Sequence, residues 1–378
     1  MLAQTENQRR ALDPVAARFT TRPVSDLPEP GQERADDLGR RAVALANELI
    51  LGARSTSLEL PVVPLVLYRG MIRAARALAT CEVMLDALGP RSVVIGSTHG
   101  VPQRALALTA RRAGVASMYV PHAPLIANMK LADLPVDFAA LRGAAEVERY
   151  RAAGAVAAGM SPIGNPGADT TAVLPAIRPD GPAAFALPTD DDWALERLVE
   201  VVHEALGDQV IASPHPRADR ERLQDMLPSG WQLWEQPTFE LLRQGPPALI
   251  QFSSGTGLES LQLGIPTIDL KFPGEPPNYP YLDDPRIPRV SDAAALRLAV
   301  DQARAISVEG RRTLQALARE WVSAGSDEAA AAGALILDRV ATEGPRSKAV
   351  WDAWGQAAAP FRPAHRVRPE AGCAQWGS

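Results

Sequence analysis

Two of the five histidines in this sequence stand just past runs that read as strands. His99 follows Arg91 to Gly96 through Ser97 and Thr98, and His122 follows Val115 to Val120 through Pro121. Imidazole titrates near neutral pH, so either side chain could take a proton from a nucleophile. A second group of residues has the chemistry to hold an anion. The run Gln209 to Ser213 ends in Pro214, His215, Pro216 and Arg217, and the run from Ala248 to Phe252 breaks into Ser253, Ser254, Gly255 and Thr256. Arginine offers a bidentate fork, and a hydroxyl-rich turn opening a helix offers unpaired N–H groups at the positive end of a dipole. Together these suit a diphosphate or a nucleotide monophosphate. Glu259, about one turn into that helix, could accept hydrogen bonds from ribose hydroxyls. Each feature also has a plainer reading: Ser254 or Thr256 as an N-cap, Glu259 as a first-turn acid, either histidine as a satisfied structural residue.

These residues need elements to position them. Short apolar runs alternate with segments of helical periodicity, which predicts parallel strands buried on both faces and an α/β fold. Strands are expected at 91–96, 115–120, 136–141, 182–187, 209–213, 248–252 and 265–270. Helices are expected at 33–51, within 66–88, and at 102–113, 143–153, 191–206, 256–263, 292–305, 310–323 and 327–342. Residues 1 to 30 are polar and punctuated by Pro14, Pro23, Pro28 and Pro30, which predicts an irregular arm. Met160 to Asp169 is turn-rich and reads as a junction. Asp190, Asp191 and Asp192 read as helix-capping acids. The segment 347–358 could form a helix, and the tail from about 362 reads as loose.

The expected organisation is two Rossmann-like domains facing a cleft: residues 1–165 on the acceptor side, 166–345 on the nucleotide side, and 346–378 as a terminal helix and tail. A chain of 378 residues suits two α/β domains better than one core. In an open parallel sheet the ligand crevice lies at the carboxyl ends of the strands, which is where all these residues fall.

Composition removes other classes. A net charge of -5 without a basic stripe argues against nucleic acid. Cys81 and Cys373 match no metal or redox spacing, and fit a reducing cytoplasm. No run approaches the roughly 18 to 20 apolar residues of a membrane span, and the first residues lack the apolar segment of a secretory signal. A peripheral membrane role stays compatible with the sequence.

The order of a His-Pro-Arg loop, a Ser-Ser loop with its helix, and Leu263-Gly264-Ile265-Pro266-Thr267 resembles the C-terminal domain of GT-B glycosyltransferases. The similar groups are bacterial capsule-polysaccharide transferases, polysialyltransferase-like enzymes and CDP-glycerol glycerophosphotransferases. The segment 91–124, with His99-Gly100 after a strand, is similar to the first half of the same enzymes, and the resemblance covers roughly residues 91 to 300. It implies that His215, Pro216, Ser253, Ser254 and Thr256 hold the donor phosphates and that His99 faces the cleft. His122 departs from the family's Gln-His-Gly, being flanked by Pro121 and Ala123.

The expected activity is transfer of a sugar, or a polyol phosphate, from a nucleotide-activated donor to a small-molecule or glycan acceptor. Without an Asp-x-Asp metal motif in context, the leaving charge falls to Arg217, His215 and the helix start, so no metal and no cofactor are expected. His99 is the first candidate for general base and His122 the second. The alternatives are a sugar-nucleotide 2-epimerase, which would want a carboxylate-rich cleft, and a binding or scaffold protein. Nucleobase, sugar, acceptor and a homodimeric state are left open.

Overall fold

The structure is a computed structural model, and it describes residues 6–17, 19, 33, 36–41, 43–44, 63–126, 131, 134–155, 159–167, 174–188, 194–216, 218–252, 254–272, 279–323 and 325–344. It is an α/β fold built on two parallel sheets.

The first sheet has four strands in the order β1 (Ser92–Ile95), β2 (Ala116–Tyr119), β3 (Phe138–Leu141) and β4 (Gly159–Pro162). Alternate residues face opposite sides, and both sides are covered. Val93, Ile95, Tyr119, Ala139 and Leu141 meet one hydrophobic layer, with helices α2 (Val63–Leu88), α3 (Val101–Arg112) and α4 (Ala144–Ala152). Val94, Met118, Phe138 and Ala140 meet the other, which contains Leu12 and Val15 of α1 (Glu6–Ala16) and Ile336, Leu337 and Val340 of the last helix, Ser326–Glu343. The chain therefore returns to its first sheet after completing the second.

Two expectations are corrected here. Residues 6–16 form a helix whose Leu12 and Val15 are 0% and 1% exposed, where an irregular arm was expected. At the start of the turn-rich junction expected over 160–169, Gly159–Pro162 is instead a strand paired to β3, with Leu141 opposite Pro162, and the chain leaves the first sheet just after it. Within the expected helix 33–51, residues 36–41 are helical; Asp190, Asp191, Asp192 and the segment 347–378 lie outside the described residues.

The second sheet has six strands: β5 (Ala183–Ala186), β6 (Val210–Ser213), β7 (Gln232–Leu233), β8 (Leu249–Gln251), β9 (Thr267–Leu270) and β10 (Arg289–Val290). Their spatial order is β10-β9-β8-β5-β6-β7. The chain starts in the middle at β5, runs outward through β6 and β7, then crosses back to β8 and runs outward the other way. Connections leaving β5 and β8 depart in opposite directions, which opens a crevice at the carboxyl ends of these two neighbours. One face carries α5 (Leu195–Leu206) and α9 (Ala293–Arg304), packed on Phe185, Ile250 and Ile268. On the other face lie α7 (Thr238–Arg243) and α8 (Thr256–Gln262), the latter backed by α10 (Val308–Trp321). A short helix α6 (Arg220–Met226) follows β6, its N-terminus capped by Asp219 accepting from Glu221 and Arg222 N–H. The last helix, Ser326–Glu343, is α11.

Because α1 is part of the core, Leu12→Ala should cost about 2–5 kcal/mol of unfolding free energy, the range for a buried leucine. Chemical denaturation followed by circular dichroism measures this; a loss under about 0.5 kcal/mol, usual for surface positions, would return the segment to a loose arm.

Candidate functional site

The first sheet presents two strand-end loops side by side. After β1 the chain turns through Gly96, Ser97, Thr98, His99 and Gly100 into α3, whose N-cap is Gly100. The turn is held locally: Ser97 Oγ accepts the His99 N–H at 3.2 Å, and Arg104 donates to the Thr98 carbonyl at 3.2 Å. His99 is left exposed at its crest. After β2, Pro121 leads to His122, which is half-buried. Its N–H and its Nδ1 both reach the Gly96 carbonyl, at 3.3 and 2.6 Å. A carbonyl only accepts, so Nδ1 carries the proton, and in the neutral ring Nε2 holds the free lone pair.

Burial, aided by neighbouring charge, lowers both histidine pKa values. For His99 desolvation leads, followed by Arg104 and then His122. For His122 desolvation again leads and Arg142 adds to it, opposed by the Gly96 bond. The two rings are therefore electrostatic neighbours, and both are neutral at pH 7, the state a general base requires.

Opposite them, β8 runs through Phe252 and Ser254 to Gly255 and into α8. Ser254 Oγ accepts the Thr256 N–H at 3.3 Å and shares a 2.8 Å hydrogen bond with Thr256 Oγ1, so the hydroxyls first serve the turn itself. Tyr281, in the 3-10 turn Pro280–Asp283, donates to the Ser254 carbonyl at 3.1 Å and to Gln251 Oε1 at 3.3 Å. A Cβ at Gly257 would strike this hydroxyl, and would lie 2.8 Å from Gln251 Oε1, so only glycine fits.

The two sheets' loops touch. A Cβ on Gly255 would lie 3.0 Å from Pro124 Cδ, two residues beyond His122. The contact sets the loop that carries His122 against the turn Ser254–Gly255–Thr256 at the start of α8, and the charge of Arg142 acts on both His122 and Glu259. Glu259 is half-buried, and desolvation raises its pKa against the opposing charges of Arg142 and Arg10. His215 is also half-buried at the end of β6, its carbonyl accepting the Ala218 N–H at 2.9 Å, and Pro216 is exposed. With β5 between them, β6 and β8 are about 10 Å apart, so the loops that carry His215 and Ser254 leave the sheet at that separation. Arg217 and Ser253 lie outside the described residues.

Sequence reasoning missed two residues here. Arg142 immediately follows β3 and is 3% exposed; Glu146, in α4, is 1% exposed. Glu146 accepts the Leu125 N–H at 3.0 Å on Oε1 and the Arg142 N–H at 3.1 Å on Oε2. Desolvation raises its pKa, and Arg142 opposes the shift. The rule that picked out His99 and His122, a polar residue at a strand's carboxyl end, applies equally to Arg142. Among the described residues no group of three or more His, Cys, Asp or Glu side chains is placed to hold a metal ion, and no helix is long and apolar enough to cross a membrane.

No protein-family model matches the chain, and no curated protein matches it in sequence. Solved structures do match it. A UDP-N-acetylglucosamine 2-epimerase described as putative, from Listeria monocytogenes, is 15% identical over 72% of this chain and 79% of its own, with a TM-score of 0.51. The UDP-GlcNAc 2-epimerase from Neisseria meningitidis bound to UDP-GlcNAc is 13% identical over 72% and 82%, with a TM-score of 0.50. The calicheamicin glycosyltransferase CalG4 is 15% identical over 72% and 82%, with a TM-score of 0.47. At these identities the likeness is one of fold: two parallel α/β sheets facing a cleft, the GT-B arrangement.

The lowered histidine pKa values give the fold a pH dependence of known sign. Below the ordinary value of 6.5 the unfolded chain takes up protons that folded His99 and His122 do not, so stability falls as pH drops from 6.5 toward the folded pKa values, and this contribution is constant above. His122→Asn should flatten the stability profile below pH 6.5 relative to wild type, measured by denaturant midpoints; parallel profiles would show that His122 titrates normally.

Proposed function

We propose that the chain is a cytoplasmic GT-B glycosyltransferase moving a sugar, or a polyol phosphate, from a nucleotide-activated donor to an acceptor in envelope-polysaccharide or secondary-metabolite biosynthesis. One observation carries the reading: the Pro124–Gly255 contact sets a neutral histidine of the first sheet against the Ser-Gly-Thr loop of the second, at the switch point. The donor nucleotide lies over the ends of β5, β6 and β8. Glu259 addresses its ribose, while Ser254, Gly255, Thr256 and His215 address its phosphates, joined by Ser253 and Arg217. Leaving-group charge is met by these cationic and N–H donors without a metal ion. His122 is the stronger candidate for general base, because the Gly96 bond fixes its tautomer and turns Nε2 free; His99 positions the acceptor. The His-Pro-Arg and Ser-Ser spacing aligns this reading with capsule-polysaccharide, polysialyltransferase-like and CDP-glycerol glycerophosphotransferase enzymes.

Sugar epimerisation is the second reading. Besides the epimerase-like fold, the raised pKa of Glu259 favours it, since a carboxyl that holds its proton can exchange one with a sugar carbon. Transfer is preferred because Glu146 is 1% exposed and tied to two backbone N–H groups, leaving histidines, not carboxylates, at the strand ends of the first sheet.

Incubation with UDP-, CDP-, GDP- and dTDP-sugars and CMP-sugars separates the readings. Free nucleotide released from one donor is the expected result; a mass-neutral change in the sugar would replace transfer by epimerisation, and binding without turnover would leave a scaffold. His122→Asn should lower kcat by about 100-fold or more, as loss of a general base does, with nucleotide affinity within about twofold of wild type. A nucleotide at about 100 times its Kd should raise stability by roughly 2.7 kcal/mol, visible as a thermal shift.

A further inference from the structure

The loop after β3 carries a side chain that the proposed mechanism leaves unused. Arg142 is 3% exposed, and its Nε is buried without a hydrogen-bond partner. Its backbone is fixed from two directions. The N–H donates to Glu146 at 3.1 Å, and the carbonyl accepts from Ser323 N–H at 3.0 Å and Ser323 Oγ at 3.3 Å, just beyond the end of α10. Gly143 presses against the Trp321 backbone so closely that a Cβ there would collide with it. The guanidinium thus starts from a rigid point where the two sheets' helices meet.

Its charge registers on both walls of the crevice. On the first it acts on His122 and Glu146, and on the second on Glu259, Tyr279 and Tyr281. Glu146, the carboxylate nearest in sequence, bonds the Leu125 and Arg142 backbone N–H groups and acts on the guanidinium only through its charge, so Arg142 Nε stays without a hydrogen-bond partner. A buried guanidinium has five donors in a planar fork, and leaving any unpaired costs stability unless something else is gained. The fork matches the oxygens of a phosphate, and the gain is affinity for one.

We propose that Arg142 is the ligand for the terminal phosphate of a nucleoside diphosphate held in the crevice, and so sets the enzyme's preference for diphosphate over monophosphate nucleotides. The proposal rests on the nucleotide reading above. With ribose at Glu259 on the second sheet, the ligand's far end is the part that reaches a residue standing on the first. Arg142 completes its hydrogen bonds when that phosphate arrives.

The test is calorimetric titration of wild type, Arg142→Met and Arg142→Lys with matched pairs: UMP and UDP, CMP and CDP, GMP and GDP, dTMP and dTDP. Wild type should prefer one diphosphate over its monophosphate by about ten- to a hundredfold, the change a charge-assisted bidentate bond supports. Arg142→Met should bind both alike, with monophosphate affinity within about twofold of wild type, and Arg142→Lys should fall between. The unliganded Arg142→Met protein should melt no lower than wild type, because methionine removes an incompletely paired buried charge. A diphosphate preference undiminished in Arg142→Met, or in Arg142→Lys if the methionine variant does not fold, overturns the assignment while leaving the nucleotide reading intact. A wild type that binds no nucleotide at all overturns both.

Discussion

The carboxylate of Glu146 is the fixture on which the first half of the site depends. It is buried on α4, with one oxygen holding the loop after β2 at Leu125 and the other holding the loop after β3 at Arg142. Two neighbouring strand ends are thereby tied to one helix. Burying a carboxyl is expensive unless its oxygens are bonded, and here both are, so the arrangement is satisfied only in one geometry. From it follow the position of Pro124, two residues beyond His122, against Gly255, and the anchoring of Arg142 beside Ser323. The second half has its own fixture in the Tyr281 hydroxyl, which secures the Ser254 carbonyl from below through a bond shared with Gln251.

Gln251 shows what such anchoring costs. It is 0% exposed and pairs in register with Asp269 on β9, also 0% exposed. Gln251 Nε2 and Asp269 Oδ1 have no partner in the protein, while Asp269 Oδ2 meets Arg289 Nε at 3.2 Å. The floor of the crevice is thus polar and tightly filled, with no room for a side chain at Gly257.

Much of the scaffold was legible because buried parallel strands are apolar on both faces and therefore stand out as short runs. RSVVIG, ASMYV, FALP and ALIQF all declare themselves this way. GMSP does not: it has the composition of a turn, and it becomes strand β4 only because β3 offers it hydrogen-bond partners at the sheet edge, where a proline is tolerated. Helix α1 was hidden for a related reason. Its polar majority and Pro14 disguise a single apolar stripe of Ala11, Leu12, Val15 and Ala16, whose value appears only against Val94 and Met118. At the candidate site, the rule that ligands meet strand ends is what singled out both histidines and the Ser-Gly-Thr loop. Arg142 meets the same rule, and only its unpartnered Nε, which a sequence does not show, sets it apart; Glu146 escaped because its meaning is tertiary, two backbone partners far apart in sequence.

Helix α11 closes the first sheet with residues 326–343, after every strand of the second has been made. During synthesis the face formed by Val94, Met118, Phe138 and Ala140 therefore waits, covered on one flank by α1 alone, until almost the whole described chain has left the ribosome. The first half cannot finish folding as an autonomous unit, and its bare face is a standing invitation to aggregation or chaperone capture in that interval. The same detour binds the halves by two chain crossings, one near residues 163–174 and one at 322–326.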